Sequence, residues 1–248
     1  WGKAGRIGLA CVAALALGLA MVAAGAPRSA SAQVTADGWE FALLPCPTGG
    51  GYGTGTFESG PGVPPNGSGS FVFSLASDGL AWLQLHQGGL DGVPLASLHA
   101  LTYTTFVVTS STQAAPYLML QVDLDDDGLP DDKLVYFPAA NDTVTPIEWQ
   151  TWDALGGVWW SLNGRAGMTQ ASPQPLSVYL AAYPNATLAN AEDTGALIVA
   201  AGCLGGVSWS SWQGAVDALS VAYGTTSITW DFESTGVVTS RRAIPGGP

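Results

Sequence analysis

Short runs of apolar residues, separated by turn-forming residues, recur along most of the chain. The runs are rich in β-branched and aromatic residues, and no long stretch keeps apolar residues at the i, i+3, i+4 spacing of a helix. Turn pairs such as Asp78-Gly79, Asp127-Gly128 and Asn163-Gly164 lie between them. The predicted strands are 55–59, 70–75, 80–85, 101–109, 117–124, 133–137, 157–162, 196–201, 215–223 and 226–232.

Only the segment 175–183, which is stopped by Pro184, predicts a short helix. Short strands at regular spacing, with turn signals between them, are typical of sandwiches and jelly rolls. The pattern therefore predicts an all-β fold, an antiparallel β-sandwich of the jelly-roll kind with at most one short helix.

The first 32 residues break this pattern and have the layout of a cleavable secretory signal peptide. Lys3 and Arg6 precede an apolar run over 7–24, and small residues follow up to Ala32, after which we expect cleavage. The alternative is a retained membrane anchor, because about 18 apolar residues can just span a bilayer. The chain begins with Trp1 rather than Met, which predicts that the natural N-terminus lies further upstream.

Removal of residues 1–32 leaves a single predicted domain at 33–233 in a secreted protein without a membrane span. The Pro- and Gly-rich residues 234–248 predict a disordered tail or the start of a linker. The processed chain keeps four basic residues against nineteen acidic ones, so its net charge is near −15. Nucleic acid and anionic membranes are excluded as partners, because both require clustered Lys and Arg.

Two cysteines, Cys46 and Cys203, remain after processing. An even number of cysteines in an oxidising compartment favours a disulfide between them. The alternative is two separate buried thiols.

An acidic segment between two predicted strands carries the most specific local chemistry. It places six aspartates within ten residues, with Gly128 permitting a sharp turn. Calcium binds six to eight oxygens, and alternating aspartates in a tight loop direct several oxygens at one point. The predicted calcium ligands are Asp123, Asp125, Asp127, Asp131 and Asp132. The alternative is a solvated acidic hairpin tip without an ion.

Nine tryptophans in the processed chain suggest carbohydrate binding, because the C–H faces of sugar rings stack on aromatic side chains. The richest segment is 148–160. The predicted ligand-binding residues are Trp149, Trp152, Trp160 and Asp153. Most of the rings are expected to fill the core, and we expect one or two to be exposed.

Catalytic motifs are not found in the sequence, and no catalytic residue is assigned. His86 and His99 have no partner at zinc-ligand spacing, and no nucleophile elbow is present. Glu148 and Asp153 are the best carboxylate pair for acid–base chemistry, so hydrolysis is a weaker alternative.

Three segments resemble jelly-roll carbohydrate-binding modules of the galactose-binding-like type. They are the opening 38–41, the strand 67–73, and the closing region in which Trp212 is followed by Val216-Asp217. The resemblance implies two antiparallel sheets, often a structural calcium, and a non-catalytic role. No binding residue is carried over, because the sites of such modules vary in place.

The sequence as a whole predicts a secreted, non-catalytic extracellular or cell-surface domain that binds a glycan or polysaccharide and holds a structural calcium. The alternative from another class is a structural component of the cell envelope or extracellular matrix that associates with copies of itself. A polysaccharide-active enzyme of sandwich fold is the weaker third hypothesis.

Overall fold

The computed structural model describes residues 30–34, 38–47, 49–108, 113–192, 194–233 and 241–244, and for the first and last of these ranges it describes strand pairing alone. The strands in these ranges are β1 Ala30–Val34, β2 Trp39–Pro45, β3 Gly53–Ser59, β4 Gly69–Leu75, β5 Ala81–Gln87, β6 Leu98–Val107, β7 Tyr117–Asp123, β8 Asp132–Tyr136, β9 Trp149–Asp153, β10 Val158–Ser161, β11 Gln174–Pro175, β12 Thr187–Leu188, β13 Leu197–Ala201, β14 Gln213–Tyr223, β15 Thr226–Trp230 and β16 Arg241–Ile244. The helix α1 spans Leu176–Ala182, and 3-10 turns lie at Leu95–Ser97, Pro138–Ala140 and Arg165–Gly167.

The strands form two antiparallel sheets that pack as a sandwich. The larger sheet has the order β11-β10-β8-β7-β13-β5-β2-β1-β16, with β12 paired to β7. The smaller sheet has the order β3-β4-β14-β6-β9, with β15 paired to β14. The predicted all-β sandwich with one short helix is confirmed.

The predicted strand and helix segments agree with the observed elements to within a few residues, and α1 lies inside the predicted 175–183. The sequence pattern does not predict β2 or β9 as strands. The smaller sheet ends at β9, and only Trp152 of its five residues is buried, so the strand lacks an apolar run. Because β9 lies at the edge of the sheet and has no run of apolar residues, the sequence pattern does not predict it.

Aromatic side chains from both sheets meet in the core between them. Phe41 of the larger sheet lies with its ring centroid 5.7 Å from that of Phe71 in the smaller sheet. Phe71 in turn packs edge-on against Phe57 and Phe73. Edge-to-face contacts of this kind add to the free energy gained from burying the rings.

The tryptophans are part of this core, which corrects the expectation of one or two exposed rings. Of the nine in the processed chain, all of which are described, seven are buried, and Trp82 and Trp149 are half-buried. Several indole N–H groups donate hydrogen bonds to internal acceptors, as Trp159 does to the carbonyl of Ala154 and Trp212 to that of Ala114. Two large sheets need bulky side chains to fill the space between them.

The predicted disulfide is confirmed. Cys46 and Cys203 are bonded across 157 residues of chain, with their Cα atoms 5.4 Å apart. Cys46 follows β2 and Cys203 follows β13, so the bond closes one end of the larger sheet where β5 separates these strands.

The predictions for the two chain ends stay predictions. Residues 1–29 of the predicted signal peptide lie outside the described residues, while its last three residues fall within β1, which pairs with β2 and β16. Within the predicted tail, Arg241–Ile244 form β16, and the other residues of 234–248 also lie outside the described part of the chain.

Candidate metal-binding loop and candidate ligand cleft

The acidic segment is the connection of a β-hairpin. Strands β7 and β8 pair antiparallel as far as Val122 opposite Asp132, and residues 124–131 form the loop between the two strands. The backbone turns at Asp126 and Gly128, which have φ values of 64° and 81°. This left-handed region favours glycine and tolerates aspartate, which explains why these two residue types occupy the turn.

Asp123 organises this loop through its carboxylate. One oxygen, Oδ1, accepts hydrogen bonds from the backbone N–H of Asp125 and Asp126 at 3.0 and 2.8 Å. The other, Oδ2, accepts one from Gly128 at 2.8 Å. Burial opposes the charge of this group, but the backbone N–H groups outweigh it and lower the pKa of Asp123. The carboxylate is therefore ionised and held in a fixed position.

Three carboxylates of this hairpin, including that of Asp123, lie close together. Ligand oxygens of Asp123, Asp125 and Asp131 lie within 4.8 Å of one another. The neighbouring carboxylates of Asp127 and Asp131 contribute to raising the pKa of Asp125, which reflects repulsion between like charges. A set of hard oxygen ligands with uncompensated negative charge could hold a metal ion.

The other two predicted ligands lie outside this group. Asp127 accepts a hydrogen bond from the backbone N–H of Leu129 at 2.8 Å. Asp132 is buried and accepts hydrogen bonds from the hydroxyls of Ser161 and Tyr179 at 2.7 and 2.9 Å. Because Tyr179 belongs to α1, Asp132 fastens the helix to the larger sheet.

The guanidinium of Arg165 is a weak competitor of a metal ion for the carboxylates of this loop. The guanidinium of Arg165 lies 3.9 Å from Oδ1 of Asp131, and both side chains are about one-third exposed. An ion pair this exposed contributes little free energy. Arg165 therefore leaves most of the negative charge of the three carboxylates uncompensated.

A cleft of about 450 Å³ lies where the edge of the smaller sheet meets the larger one. Its walls come from the end of β8, the residues after the second 3-10 turn, β9, and the turn that leads into β10. The lining residues are Tyr136, Ala140, Asn141, Asp142, Gln150, Thr151, Trp152, Asp153, Gly156, Gly157 and Val158.

The hydroxyl of Tyr136 is the distinctive group in the cleft. The side chain is 2% exposed, and its ring packs against Tyr103 and Trp159 with centroids 6.1 and 5.4 Å away. Among the residues that the structure describes, the hydroxyl has no hydrogen-bond partner, and it is not fully buried, so it opens to the cleft. Burial, followed by the carboxylates of Asp153 and Asp142, raises the pKa of Tyr136. The hydroxyl therefore keeps its proton and is available as a donor.

Other residues hold the cleft open. The amide of Asn141 donates to the carbonyls of Phe137 and Val158 and accepts from the N–H of Val158 at 2.6 Å, so it braces one wall. Gly157 is required by the close approach of Tyr136, because a Cβ atom there would lie 2.6 Å from the ring. The shape of the cleft therefore depends on tertiary packing.

The rim carries two exposed carboxylates, Asp142 and Asp153. Oδ1 of Asp153 accepts a hydrogen bond from the backbone N–H of Gly156 at 3.0 Å, and Oδ1 of Asp142 accepts one from Thr143 at 2.7 Å. These bonds to the local backbone orient both carboxylates while leaving lone pairs for a ligand.

The predicted ligand-binding residues are distributed unevenly around this cleft. Asp153 and Trp152 line it, but Trp152 is buried and its indole N–H donates to Oγ1 of Thr105 at 2.8 Å. Trp160 is buried and Trp149 half-buried, and neither lines the cleft. Of these three rings, Trp152 alone belongs to a residue that lines the cleft, and it is almost fully buried.

Sequence reasoning missed Tyr136 and Asp142, since neither stands in a local motif. Glu148, the proposed acid–base partner of Asp153, is exposed but does not line the cleft.

Comparison of the chain with models of known protein families, with curated proteins and with solved structures finds no match. Within the described ranges, no helix is both long and apolar enough to cross a bilayer.

Proposed function

We propose that this protein is a secreted, non-catalytic extracellular domain that binds a neutral carbohydrate in the cleft lined by β9 (the β9 cleft) and holds a structural calcium ion in the acidic loop. The observation that carries the carbohydrate assignment is the hydroxyl of Tyr136, a donor without a partner among the described residues that opens to the cleft near two exposed carboxylates.

The cleft offers the mixture of groups that a sugar requires. Sugar hydroxyls both donate and accept, and the carboxylates of Asp142 and Asp153 accept while the hydroxyl of Tyr136 donates. Trp152, which also lines the cleft, adds an apolar residue to this set. A volume of about 450 Å³ lies within the range of small-ligand pockets.

The charge around the cleft selects among sugars. Two carboxylates stand at the rim, no Lys or Arg lines it, and the chain as a whole carries an excess of acidic residues. An acidic sugar would be repelled at close range, since like charges in a partly desolvated cleft are costly. A neutral glycan is therefore the proposed ligand.

The exposure of the two carboxylates supports the proposal of binding without hydrolysis. A glycosidase needs a general acid held in an apolar pocket, opposite a second carboxylate. Asp142 and Asp153 are both exposed to water, and neither has such a pocket around it.

Calcium is the proposed ion because the three gathered ligands are all carboxylates. Hard oxygen ligands suit calcium, whereas zinc and copper prefer sites that include nitrogen or sulfur. Outside the cell calcium is abundant enough to fill a weak site, and the disulfide between Cys46 and Cys203 agrees with an oxidising compartment.

The carbohydrate proposal is tested on a glycan array, followed by calorimetry with the best neutral glycan. Y136F removes the hydroxyl and one hydrogen bond, and D142N removes a charge and weakens one, so each is expected to weaken binding by about five-fold. E58Q is the matched control, because Glu58 is an exposed carboxylate on β3, at the opposite edge of the same sheet.

Three outcomes would contradict the carbohydrate proposal. Equal affinity of Y136F, D142N and the native protein would place the glycan elsewhere. Release of a reducing end from the bound glycan would make the protein an enzyme. No glycan signal together with concentration-dependent self-association would favour the structural component of an envelope or matrix.

The calcium proposal is tested by calorimetric titration and by comparing thermal unfolding in calcium and in EDTA. Native protein is expected to bind calcium and to unfold at a higher temperature, and D125N is expected to lose both effects. D126N is the control, since Asp126 lies in the same loop but outside the three gathered carboxylates. No heat of binding and no rise in melting temperature would reject the site.

A further inference from the structure

A second pocket, of about 270 Å³, lies at the far end of β2 and β5 from the disulfide. These strands pair antiparallel with Glu40 directly opposite His86, and the loop that precedes β13 closes the pocket with Glu192. Asn190 and Thr194 also line it.

His86 is a buried ring with one nitrogen unused. The side chain is 2% exposed, and Nε2 lies 2.8 Å from Oε1 of Gln84. Because an amide oxygen can only accept, Nε2 carries the proton and Nδ1 keeps a lone pair. Nδ1 is shielded from solvent and has no hydrogen-bond partner in the part of the chain that the structure describes.

The ring stays neutral, so this lone pair is available at ordinary pH. Burial, helped by the positive charge of Lys133, lowers the pKa of His86 to about 3. His86 lines the pocket, whereas Gln84 does not. An unused buried acceptor costs free energy that a ligand in the pocket would recover.

The acidic side chains that line the pocket favour a cation. Glu40 and Glu192 bring two carboxylates to the pocket, and no Lys or Arg lines it. Imidazole nitrogen with carboxylate oxygen is a ligand set that zinc and similar divalent transition metals prefer over calcium. The second ring nitrogen donates to Gln84, as the outer nitrogen of a metal-bound histidine usually donates to an oxygen acceptor.

We propose that this pocket binds a divalent transition-metal ion of the zinc class through Nδ1 of His86 and the carboxylates of Glu40 and Glu192. The three groups are not yet gathered within 4.8 Å of one another in the described residues, so ligation requires the glutamates to turn. Glu192 is exposed and Glu40 half-exposed, which leaves both side chains room to do so. This inference is independent of the glycan and calcium proposals.

The test uses the full protein labelled with ¹⁵N in its histidines and titrated with zinc chloride alone. The chain has two histidines, so the imidazole spectrum contains His86 and, as an internal control, the exposed His99. Zinc is expected to shift the Nδ1 resonance of His86 and to leave His99 unchanged. Calcium chloride is expected to move neither resonance.

Variants of the carboxylates avoid disturbing the buried ring. E40Q and E192Q are each expected to weaken zinc binding by at least about ten-fold in calorimetry, because each replaces a charged ligand by a neutral amide. E148Q replaces an exposed glutamate outside the pocket and is expected to bind zinc as the native protein does.

The proposal is overturned if the His86 resonances do not move at saturating zinc, or if E40Q and E192Q bind zinc with native affinity. It is also overturned if D125N abolishes the heat of zinc binding, because the ion would then occupy the acidic loop.

Discussion

The acidic loop and the β9 cleft both contain several carboxylates, but the hydrogen-bonding capacity of their polar groups is used differently. In the loop, the oxygens of Asp123 accept hydrogen bonds from three backbone N–H groups within five residues. In the cleft, the Tyr136 hydroxyl has no partner among the described residues, and Asp142 and Asp153 face water. The loop is built to hold itself together, whereas the cleft leaves polar groups for a ligand.

This difference predicts that changes in the two regions affect different properties of the protein. Removing a group that the protein itself uses leaves buried donors or acceptors without partners, which is costly, whereas removing an unused group costs almost nothing. Changes in the loop should therefore lower the free energy of unfolding, and changes in the cleft should lower affinity.

The largest effect is expected for D123A. Three backbone N–H groups of the hairpin would lose their acceptor, so the free energy of unfolding should fall by about 3 kcal/mol. Urea denaturation followed by tryptophan fluorescence measures it. D126N is the control, and a D123A midpoint equal to that of D126N would show that the loop does not depend on this carboxylate.

The free energy of unfolding should respond to acid in two different pH ranges, one set by the buried ring of His86 and the other by Asp123 in the loop. The pKa of His86 is lowered to about 3, so below its ordinary value of 6.5 the unfolded chain takes up a proton that the folded chain does not. Stability should fall by about 2 kcal/mol from pH 7 to pH 5. The lowered pKa of Asp123 acts in the same direction, but only as the pH falls below its ordinary value of 3.8.

Urea denaturation at several pH values measures this slope. H86Q is expected to flatten the profile between pH 7 and pH 5, and H99Q, which changes an exposed ring, is expected to keep it. A native profile that is flat in this window would mean that His86 is protonated at little cost.

Calcium should act on the loop and leave the cleft unchanged. At ten times its dissociation constant, calcium is expected to add about 1.4 kcal/mol to the free energy of unfolding. The affinity for the neutral glycan should be the same in calcium and in EDTA. Calorimetry under both conditions measures this, and a glycan affinity that depends on calcium would show that the two regions are coupled.

The smallest effect is expected for the stability of Y136F. Since the hydroxyl has no partner in the described part of the chain, its removal should change the free energy of unfolding by less than about 0.5 kcal/mol. Urea denaturation of the variant beside E58Q provides the measurement. A loss comparable to that of D123A would mean that the hydroxyl holds the fold together, and the contrast with the loop would then fail.

The candidate sites differ in how much of them the sequence could predict. The acidic loop was found because its carboxylates are neighbours in the chain, although only three of the five predicted ligands are gathered, since Asp132 is turned inward to Ser161 and Tyr179. Most tryptophans fill the core, as the sequence predicts, but composition does not tell which face of a strand is covered, and none of the nine is fully exposed. Tyr136 and Asp142 carried no local signal.

By itself, the sequence determined the features that depend on near neighbours. The spacing of apolar runs specified an antiparallel β-sandwich with one short helix, and the run of aspartates specified an acidic hairpin. Tertiary structure alone decided that Tyr136, Asp142 and Asp153 share one cleft and that Glu40, His86 and Glu192 share one pocket. The physical reason is that strand pairing brings together residues far apart in the chain, and a side chain's partners depend on the register and packing of both sheets.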